Sequence, residues 1–228
     1  MNITVVGLGY VGLSLAVLLS KKHNVVALDI DEQKINKING RICPFDDSEL
    51  SKILELPNIN LQATIDKEIA YKNSDLIVIC TPTNYDQLSN EFDTSSVTSV
   101  INDVRNNSVS IPIFIKSTIP VGFTNQLRNK YQTEHIYFSP EFLREGTAVI
   151  DNQSPSRIIV GGTTKVAKKF AKILLEITNS DFQKVTVEFM DSSEAEAVKL
   201  FSNTYLAMRI AYFNELDTFC ELNKLNTK

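Results

Sequence analysis

The sequence has few of the features that mark several large classes of protein. It contains three cysteines and no tryptophan. Its apolar runs are only a few residues long, whereas a membrane-spanning helix needs roughly 18. The cysteines, Cys43, Cys80 and Cys220, are too few and too scattered for a disulfide framework or a metal site. These absences exclude the membrane-spanning and disulfide-rich classes, and no bound metal is expected.

An excess of charge of one sign is also missing. The 228 residues include 23 basic and 27 acidic side chains, which gives a formal charge of −4. No cluster of lysine and arginine stands out, so we expect no nucleic-acid partner. The first residues, MNITVVGLGYVG, have neither a basic region nor a cleavage site, so we expect no signal peptide and a cytoplasmic location.

Short β-branched runs alternate with longer stretches of helical pattern. The strand candidates are continuously apolar, which is typical of parallel strands that are covered on both faces. The predicted strands are Ile3–Val6, Asn24–Leu28, Leu76–Cys80, Ile111–Lys116, His135–Phe138, Arg157–Val160 and Lys184–Phe189. The predicted helices are Tyr10–Lys21, Glu32–Asn39, Ser95–Asn106, Phe123–Gln132 and Lys165–Thr178. This alternation predicts a Rossmann-like, doubly wound α/β fold with a mostly parallel sheet.

The last segment has a different pattern. From Asp191 to about Asn223 there is no glycine or proline, and residues 191–194 supply helix-capping side chains. Apolar residues recur at the spacing of one helix face, namely Val198, Phe201, Tyr205, Met208, Tyr212, Leu216 and Phe219. We predict a domain over residues 1–190 and a long connecting helix over 191–228. Because nothing after Lys228 covers the end of this helix, we expect a fragment, or a protein that has lost its C-terminal part.

The motif GLGYVG at residues 7–12 places G-x-G-x-x-G between the first predicted strand and a helix. Gly7 permits a tight turn, Gly9 lets backbone N–H groups approach a pyrophosphate, and Gly12 allows close packing of helix and strand. The amino end of the helix then carries free N–H donors and a positive partial charge. The alternative is a glycine-rich turn in an α/β protein that binds no dinucleotide.

An acidic residue supports the dinucleotide interpretation. Asp29 follows the second predicted strand, 17 residues after Gly12. A carboxylate at this place accepts hydrogen bonds from an adenosine ribose and repels a 2′-phosphate, so it favours NAD over NADP. Lys34 could still reach such a phosphate, which leaves NADP as the alternative.

Two hydroxyl-rich segments follow strands of the predicted sheet. Thr83 lies in the sequence Thr-Pro-Thr at 81–83, and Thr118 lies in Ser-Thr-Ile-Pro at 117–120. Open α/β sheets bind ligands at the carboxyl ends of their strands. A Thr-Pro pair can also simply end a strand, but two equivalent segments at one sheet edge favour a role in the cleft.

Several longer stretches resemble a known family. They are CTPTNYD (80–86), KSTIPVGFT (116–124), SPEFLREGTAV (139–149), PSRIIVGG (155–162) and EAVKLFSNTYLAMRIAYFNELDTFCEL (196–222). With the glycine turn, they make the chain similar to the UDP-glucose/GDP-mannose dehydrogenase family along its whole length. The last stretch is more similar to the branch that acts on UDP-glucose than to those that act on GDP-mannose or UDP-N-acetylmannosamine.

The resemblance implies an activity and a set of site residues. Members oxidise the C6 hydroxyl of the sugar to a carboxylate with two NAD, through an aldehyde and a thioester on a cysteine. The implied cofactor contacts are Gly7, Gly9, Tyr10, Val11, Gly12, Asp29, Lys34, Thr83, Thr118 and Glu145. The implied contacts to UDP-glucose, or to a related nucleotide sugar, are Glu141, Phe142, Leu143, Arg144, Lys199 and Asn203. The implied catalytic residues are Thr118, Glu141, Glu145, Lys199 and Asn203.

The spacing of these residues is compatible with such chemistry. Lys199 and Asn203 are four residues apart and therefore project from one face of the long helix. An ammonium and an amide there could stabilise a developing oxyanion. The alternatives are a solvated lysine and, around Glu141 and Glu145, an exposed acidic turn with a local ion pair to Arg144.

The sequence also departs from the family pattern. The nucleophilic cysteine of the family lies beyond the long helix, in a glycine-rich loop before a proline, and no residue here matches it. The UDP-binding domain of the family is also missing, and all three cysteines are expected to be structural. The chain is therefore either the N-terminal part of a dehydrogenase or a catalytically silent NAD-binding or assembly module. A third possibility is another dehydrogenase of the β-hydroxyacid type. We also expect a homodimer through the long helix.

Overall fold

The computed structural model describes residues 1–86, 91–107, 110–179 and 185–227. Its strands are β1 (Asn2–Val6), β2 (Asn24–Leu28), β3 (Leu61–Thr64), β4 (Leu76–Ile79), β5 (Tyr85–Asp86), β6 (Glu91–Phe92), β7 (Ile113–Ile115), β8 (Ile136–Phe138), β9 (Arg157–Gly161) and β10 (Thr186–Met190). Its helices are α1 (Tyr10–Leu19), α2 (Glu32–Asn39), α3 (Ser48–Leu54), α4 (Lys67–Tyr71), α5 (Ser95–Asn107), α6 (Phe123–Tyr131), α7 (Ala148–Gln153), α8 (Lys165–Glu176) and α9 (Ser192–Leu222). Each predicted strand and helix overlaps an observed one; Lys184, the predicted start of the last strand, lies outside the described residues.

The main sheet has eight strands in the order β10-β9-β8-β7-β4-β1-β2-β3. β1 pairs in parallel with both β2 and β4, so the strand order reverses beside β1. Only the β8–β9 pair of this sheet is antiparallel among the described strands. The expectation of a Rossmann-like, mostly parallel sheet is confirmed, and its ligand-binding crevice lies at the carboxyl ends of β1 and β4.

Both faces of the sheet are covered, which explains why its strands are continuously apolar. All four residues of β4 are buried. Leu76 and Val78 belong to a cluster that includes apolar residues of α1 and α8. Ile77 and Ile79 face the other way, into a cluster with α5 and the start of α9. Side chains of one strand therefore alternate between two cores.

Six short elements were not predicted from the sequence: the strands β3, β5 and β6 and the helices α3, α4 and α7. The two strands of the hairpin have only two residues each, which is too short for a periodic pattern. α3 and α4 do begin at capping aspartates, because Asp47 accepts a hydrogen bond from the Leu50 N–H and Asp66 accepts one from the Glu68 N–H. These caps were available signals that periodicity alone did not use.

α9 begins with the predicted cap. The Asp191 carboxylate accepts a hydrogen bond from the Ser193 N–H at 2.8 Å, and the Glu194 carboxylate accepts one from the Asp191 N–H at 2.8 Å. The first turns pack on the sheet domain, whereas almost all residues from Phe201 onward are exposed. Within the described residues, no helix combines the length and apolar character that crossing a membrane would require.

A buried carboxylate attaches α9 to the rest of the fold. Glu196 accepts hydrogen bonds from the Gly122 N–H at 2.5 Å, the Thr124 N–H at 2.8 Å and the Thr124 hydroxyl at 2.5 Å. These donors lie at the amino end of α6, where the helix dipole favours an anion. Burial raises the pKa of Glu196, although the hydrogen bonds from Thr124 and Gly122 act in the opposite direction.

We expect Glu196→Ala to lower the free energy of unfolding by about 2–3 kcal/mol, because it leaves buried donors at the start of α6 without an acceptor. Urea denaturation followed by circular dichroism measures this change. Glu215→Ala, at an exposed position of the same helix, is the control and should change stability by less than about 0.5 kcal/mol. Equal stability of the two variants would contradict the role of Glu196.

Candidate functional site

Two of the three motif glycines are required by the packing of the protein itself. Gly7 has a φ of +88°, and a Cβ at this residue would lie 2.8 Å from backbone atoms of Cys80 and Thr81. A Cβ at Gly12 would lie 1.8 Å from the carbonyl oxygen of Gly7. These contacts hold β1, α1 and the end of β4 together, so Gly7 and Gly12 shape the turn without needing to touch a ligand.

Gly9 is different, because a Cβ at this residue would meet no atom within 4 Å. Gly9 is exposed and precedes α1, and no side chain in the described part of the structure caps this end of the helix. Tyr10 and Val11, the next two residues, are only partly buried. Open space thus lies in front of free N–H groups at a helix amino end, which is the arrangement that binds a diphosphate.

Asp29 lies directly after β2, beside this turn. Its Oδ2 accepts hydrogen bonds from the Leu8 N–H at 2.7 Å and from the Lys34 ammonium at 3.1 Å, and its Oδ1 accepts one from the Asp31 N–H. Burial raises the pKa of Asp29, but these bonds outweigh it and hold the pKa below its ordinary value. The carboxylate is therefore ionised at neutral pH and suited to accept hydrogen bonds from a ribose.

Lys34 is committed to Asp29 rather than free. Its side chain is 20% exposed and its ammonium contacts the carboxylate at 3.1 Å. A 2′-phosphate here would face the ionised acid and would compete with it for the lysine. The geometry favours NAD over NADP, as the sequence predicted.

The two predicted hydroxyl-rich segments lie at the same edge of the sheet. They are linked to each other, because the Ser117 hydroxyl donates to the Thr81 carbonyl at 2.6 Å. Thr83 and Thr118 are both partly buried, so their side chains border the crevice without being locked in the core. The structure brings these threonines to the carboxyl ends of β4 and β7, beside the glycine turn.

Glu141 and Lys199 form a buried ion pair although they are 58 residues apart in the chain. The Lys199 ammonium contacts Glu141 Oε1 at 2.7 Å and also donates to the Glu141 carbonyl at 2.7 Å. Glu141 Oε2 accepts a hydrogen bond from the Leu143 N–H at 2.7 Å. The side chains of Lys199 and Glu141 are 6% and 15% exposed. The alternatives of a solvated lysine and of an exposed acidic turn at Glu141 are therefore wrong.

Other predicted site residues lie near this pair without joining it. Arg144 is paired with Asp151 at 2.7 Å, so the alternative of a local ion pair between Arg144 and the neighbouring glutamates does not hold in the described part of the chain. Glu145 and Asn203 are exposed, and neither hydrogen-bonds to Glu141 or Lys199 among the described residues. Asn203 lies one turn beyond Lys199 on α9, where it remains available to a ligand.

Phe142 adds an aromatic surface beside the ion pair. The Lys199 ammonium lies 5.6 Å from the centre of its ring, and the Arg157 guanidinium lies 4.8 Å from it. Both distances suit cation–π contact. Leu143, the next residue, is partly buried. Glu141, Phe142 and Leu143 thus form a continuous strip after β8 that borders a cavity.

Sequence reasoning missed two charged residues of this region. Asp151 holds Arg144, the residue that follows the strip, by accepting hydrogen bonds from its backbone N–H and from its guanidinium. Lys116, directly after β7, is buried, with only 5% of its surface exposed. A lysine that immediately follows an apolar strand and precedes Ser117 was the available signal for the second, since strand ends carry ligand-binding groups.

The cysteines show no sign of nucleophilic activation. Burial raises the pKa of the Cys80 thiol to about 12, so it is protonated at neutral pH. Cys43 and Cys220 are partly buried free thiols. This environment supports the expectation that Cys80 is structural.

We expect Gly9→Ala to weaken NAD binding and Gly12→Ala to destabilise the fold. Gly9→Ala puts a methyl group into the open space, so NAD affinity should fall by about 100-fold, or roughly 2.8 kcal/mol, while stability is unchanged. Gly12→Ala forces a backbone clash and should lower the free energy of unfolding by about 1–3 kcal/mol. Calorimetric titration with NAD and urea denaturation measure the two effects. Unchanged NAD affinity in Gly9→Ala would contradict the location of the diphosphate.

Comparison with known protein families supports the assignment of this crevice. The model for the NAD binding domain of the UDP-glucose/GDP-mannose dehydrogenase family matches residues 1–179, and the model for the central domain of that family matches residues 193–228. The first match confirms the expectation that NAD is the cofactor.

Individual proteins of the family are similar to the chain over nearly all of its length. The UDP-glucose 6-dehydrogenase of Campylobacter jejuni is 45% identical over 229 residues, which include 100% of this chain. The chain spans 58% of the length of that relative. The structure of a UDP-glucose dehydrogenase from Pyrobaculum islandicum matches this chain with a TM-score of 0.83 and 27% identity. The match covers 94% of this chain and 52% of the Pyrobaculum chain.

A second solved structure is about equally similar. The UDP-D-ManNAc dehydrogenase of Pyrococcus horikoshii matches this chain with a TM-score of 0.85 and 26% identity. The match covers 99% of this chain and 55% of the Pyrococcus chain. Similarity of fold thus does not separate relatives with different sugars in their names. The two family models, which together match nearly the whole chain, show that the chain belongs to the UDP-glucose/GDP-mannose dehydrogenase family.

Proposed function

We propose that this chain supplies the NAD-binding domain and part of the sugar-nucleotide site of an enzyme that oxidises UDP-glucose to UDP-glucuronate. In this proposal, residues 1–190 form the dinucleotide-binding domain, and residues 191–228 form the long connecting helix. The buried pair of Glu141 and Lys199 carries the proposal. A lysine and a glutamate at 2.7 Å, at the cofactor edge of the sheet, form a group that can exchange a proton with a hydroxyl.

The cofactor, when bound, supplies the acceptor for a hydride from C6 of the sugar. The residues of the chain then have separate tasks. The N–H groups after Gly9 bind the diphosphate and Asp29 binds the ribose. Lys199, released from Glu141 by the substrate hydroxyl, stabilises the negative charge that develops on the C6 oxygen, and Asn203 donates from the next turn of α9. Glu141 accepts the proton that leaves the hydroxyl.

The nearby residues hold the substrate in place. The backbone of Phe142 and Leu143 and the side chain of Arg144 border the place of the sugar nucleotide. Thr118 holds a water molecule for hydrolysis of the acyl intermediate, and Glu145 and Thr83 border the cofactor. The protonated Cys80 thiol does not provide the thiolate that this intermediate requires, so we assign that step to a part of the enzyme outside this chain.

UDP-glucose is the proposed substrate because the Campylobacter jejuni relative, which is 45% identical to this chain, is named for that activity. A different nucleotide sugar, such as UDP-N-acetylmannosamine or GDP-mannose, would use the same residues around C6. A catalytically silent NAD-binding module would keep the glycine turn and Asp29 but would have no use for the Lys199–Glu141 pair.

The test is NADH formation by the product of the complete reading frame that encodes this chain, with UDP-glucose, UDP-N-acetylmannosamine and GDP-mannose as separate substrates. We expect turnover with UDP-glucose and two NADH for each sugar. Lys199→Met should lower kcat by about 100-fold or more. Lys67→Met, which removes an exposed lysine paired with Asp103, is the control and should leave kcat unchanged.

The outcomes separate the alternatives. Turnover with another sugar alone would correct the substrate. Normal NAD binding with no turnover on any of the sugars would support the silent module. Turnover unaffected by Lys199→Met would contradict the proposed role of the ion pair.

The exposed part of α9 is proposed to bind a second copy of the chain. Its large apolar side chains include Phe201, Tyr205, Met208, Tyr212 and Phe219, all more than half exposed. An apolar surface of this extent is unusual for a protein with no partner. Two such helices can cover each other in an isologous interface.

We expect the chain to sediment at about twice its mass of 25.6 kDa. Met208→Glu should give monomers, because it introduces a charge into the proposed interface. Asp217→Asn, at an exposed position on the opposite side of the same helix, is the control. A strictly monomeric mass at high concentration of the wild-type chain would contradict the dimer.

A further inference from the structure

We propose that Lys116 is a positioning residue, whose buried ammonium holds the carbonyls of Ser139 and Pro140 and thereby fixes the backbone from which Glu141 binds Lys199. This role rests on the proposed function, which assigns the reaction to the pair of Glu141 and Lys199. The mechanism described above makes no use of Lys116.

The two lysines bind successive carbonyl groups of one short segment. The Lys116 ammonium donates to the Ser139 carbonyl at 3.3 Å and to the Pro140 carbonyl at 3.4 Å. The Lys199 ammonium donates to the next carbonyl, that of Glu141, at 2.7 Å. The backbone that carries Glu141 is therefore bound by cations at three consecutive positions.

The lysines approach this segment from opposite faces of the sheet. Phe114 belongs to the core that contains α8, and Ile115 belongs to the core that contains the start of α9. Because side chains alternate along a strand, Lys116 extends toward the α8 face. Lys199 comes from α9 on the other face. The segment after β8 is thus clamped between an ammonium from each side.

On the α8 face, this segment borders a cavity. A cavity of about 220 Å³ lies there, and Lys116, Pro140, Glu141 and Phe142 are among its lining residues. Ser139 is anchored before it, through its N–H to the Ile115 carbonyl and its hydroxyl to the Ile159 carbonyl. The hydrogen bonds of Lys116 hold the backbone at the border of this cavity.

The charge of Lys116 is costly for folding and therefore needs a reason. Lys116 is only 5% exposed, and among the described residues no carboxylate lies within 4 Å of its side-chain nitrogen. Burial lowers its pKa and the nearby Lys199 acts in the same direction, whereas the neighbouring Glu141 raises it. An apolar side chain of similar length would avoid this desolvation cost. The hydrogen bonds of Lys116 to the two carbonyls before Glu141 explain why a lysine is buried here.

The test compares Lys116→Met with the wild-type chain by NMR, without cofactor or substrate. The Leu143 N–H, which donates to Glu141 Oε2, and the Lys199 ammonium resonance both report on the ion pair. In Lys116→Met we expect the Leu143 amide to exchange with solvent about tenfold faster or more. The Lys199 ammonium signal should broaden or disappear. Lys67→Met is the matched control, because it also removes a lysine charge.

Two further measurements separate positioning from general loosening. The Thr124 N–H, held by Glu196, should exchange at the wild-type rate in every variant. Lys116→Arg should restore the Leu143 and Lys199 signals, because the cavity has room for the larger group and a guanidinium can bind both carbonyls. Should Lys116→Met not fold, Lys116→Gln is the second variant; it lacks the charge and the reach of lysine, and the same losses are expected.

Wild-type Leu143 and Lys199 signals in a folded Lys116→Met or Lys116→Gln chain would overturn the proposal. Equal acceleration of Leu143 and Thr124 would also overturn it, since Lys116 would then be a general structural residue. These measurements need no turnover. An enzyme with another activity would contradict the proposed function and leave this result intact, and the reverse also holds.

Discussion

The attachment of α9 to the edge of the sheet is the constraint on which the candidate site depends. Glu196 and Lys199 are three residues apart and so lie on the same face of that helix. Both are buried, and both reach backbone groups that follow strands of the sheet: Glu196 binds the start of α6, and Lys199 binds the segment after β8. These two contacts bring the Lys199 ammonium to the segment after β8 that carries Glu141.

The two attachments also set the character of the site. Lys199 and Glu141 form an ion pair in which both side chains are largely buried. The two groups therefore contact each other rather than solvent. A second lysine, Lys116, donates to the two carbonyls that precede Glu141. Donors that converge on one place are the arrangement that favours a negative charge developing on a bound oxygen.

The glycine turn shows how structural and functional demands share one motif. Gly7 and Gly12 are needed because other backbone atoms come within 2.8 Å and 1.8 Å of where a Cβ would be. Gly9 meets no such neighbour, so its lack of a side chain serves the ligand. The chain spans 58% of the length of a curated relative that it matches.

The sequence by itself determined the parallel α/β architecture, the dinucleotide turn and the long terminal helix. Continuous apolar strands, the spacing of Gly7, Gly9, Gly12 and Asp29, and the residues 191–194 are local patterns, and local patterns can be seen without the fold. Short elements such as β3 and α7 carried too few residues to show a period. Their positions became clear only when they were packed against their neighbours.

Only the tertiary structure decided which charged groups meet. Glu141 pairs with Lys199 across 58 residues, Arg144 turns to Asp151 instead of the glutamates beside it, and Lys116 is buried under the segment that carries Glu141. No spacing in the sequence predicts such contacts, because they arise where a strand end, a loop and a helix from distant parts of the chain converge. The burial that makes these charges matter is likewise a property of the folded sheet and its covering helices.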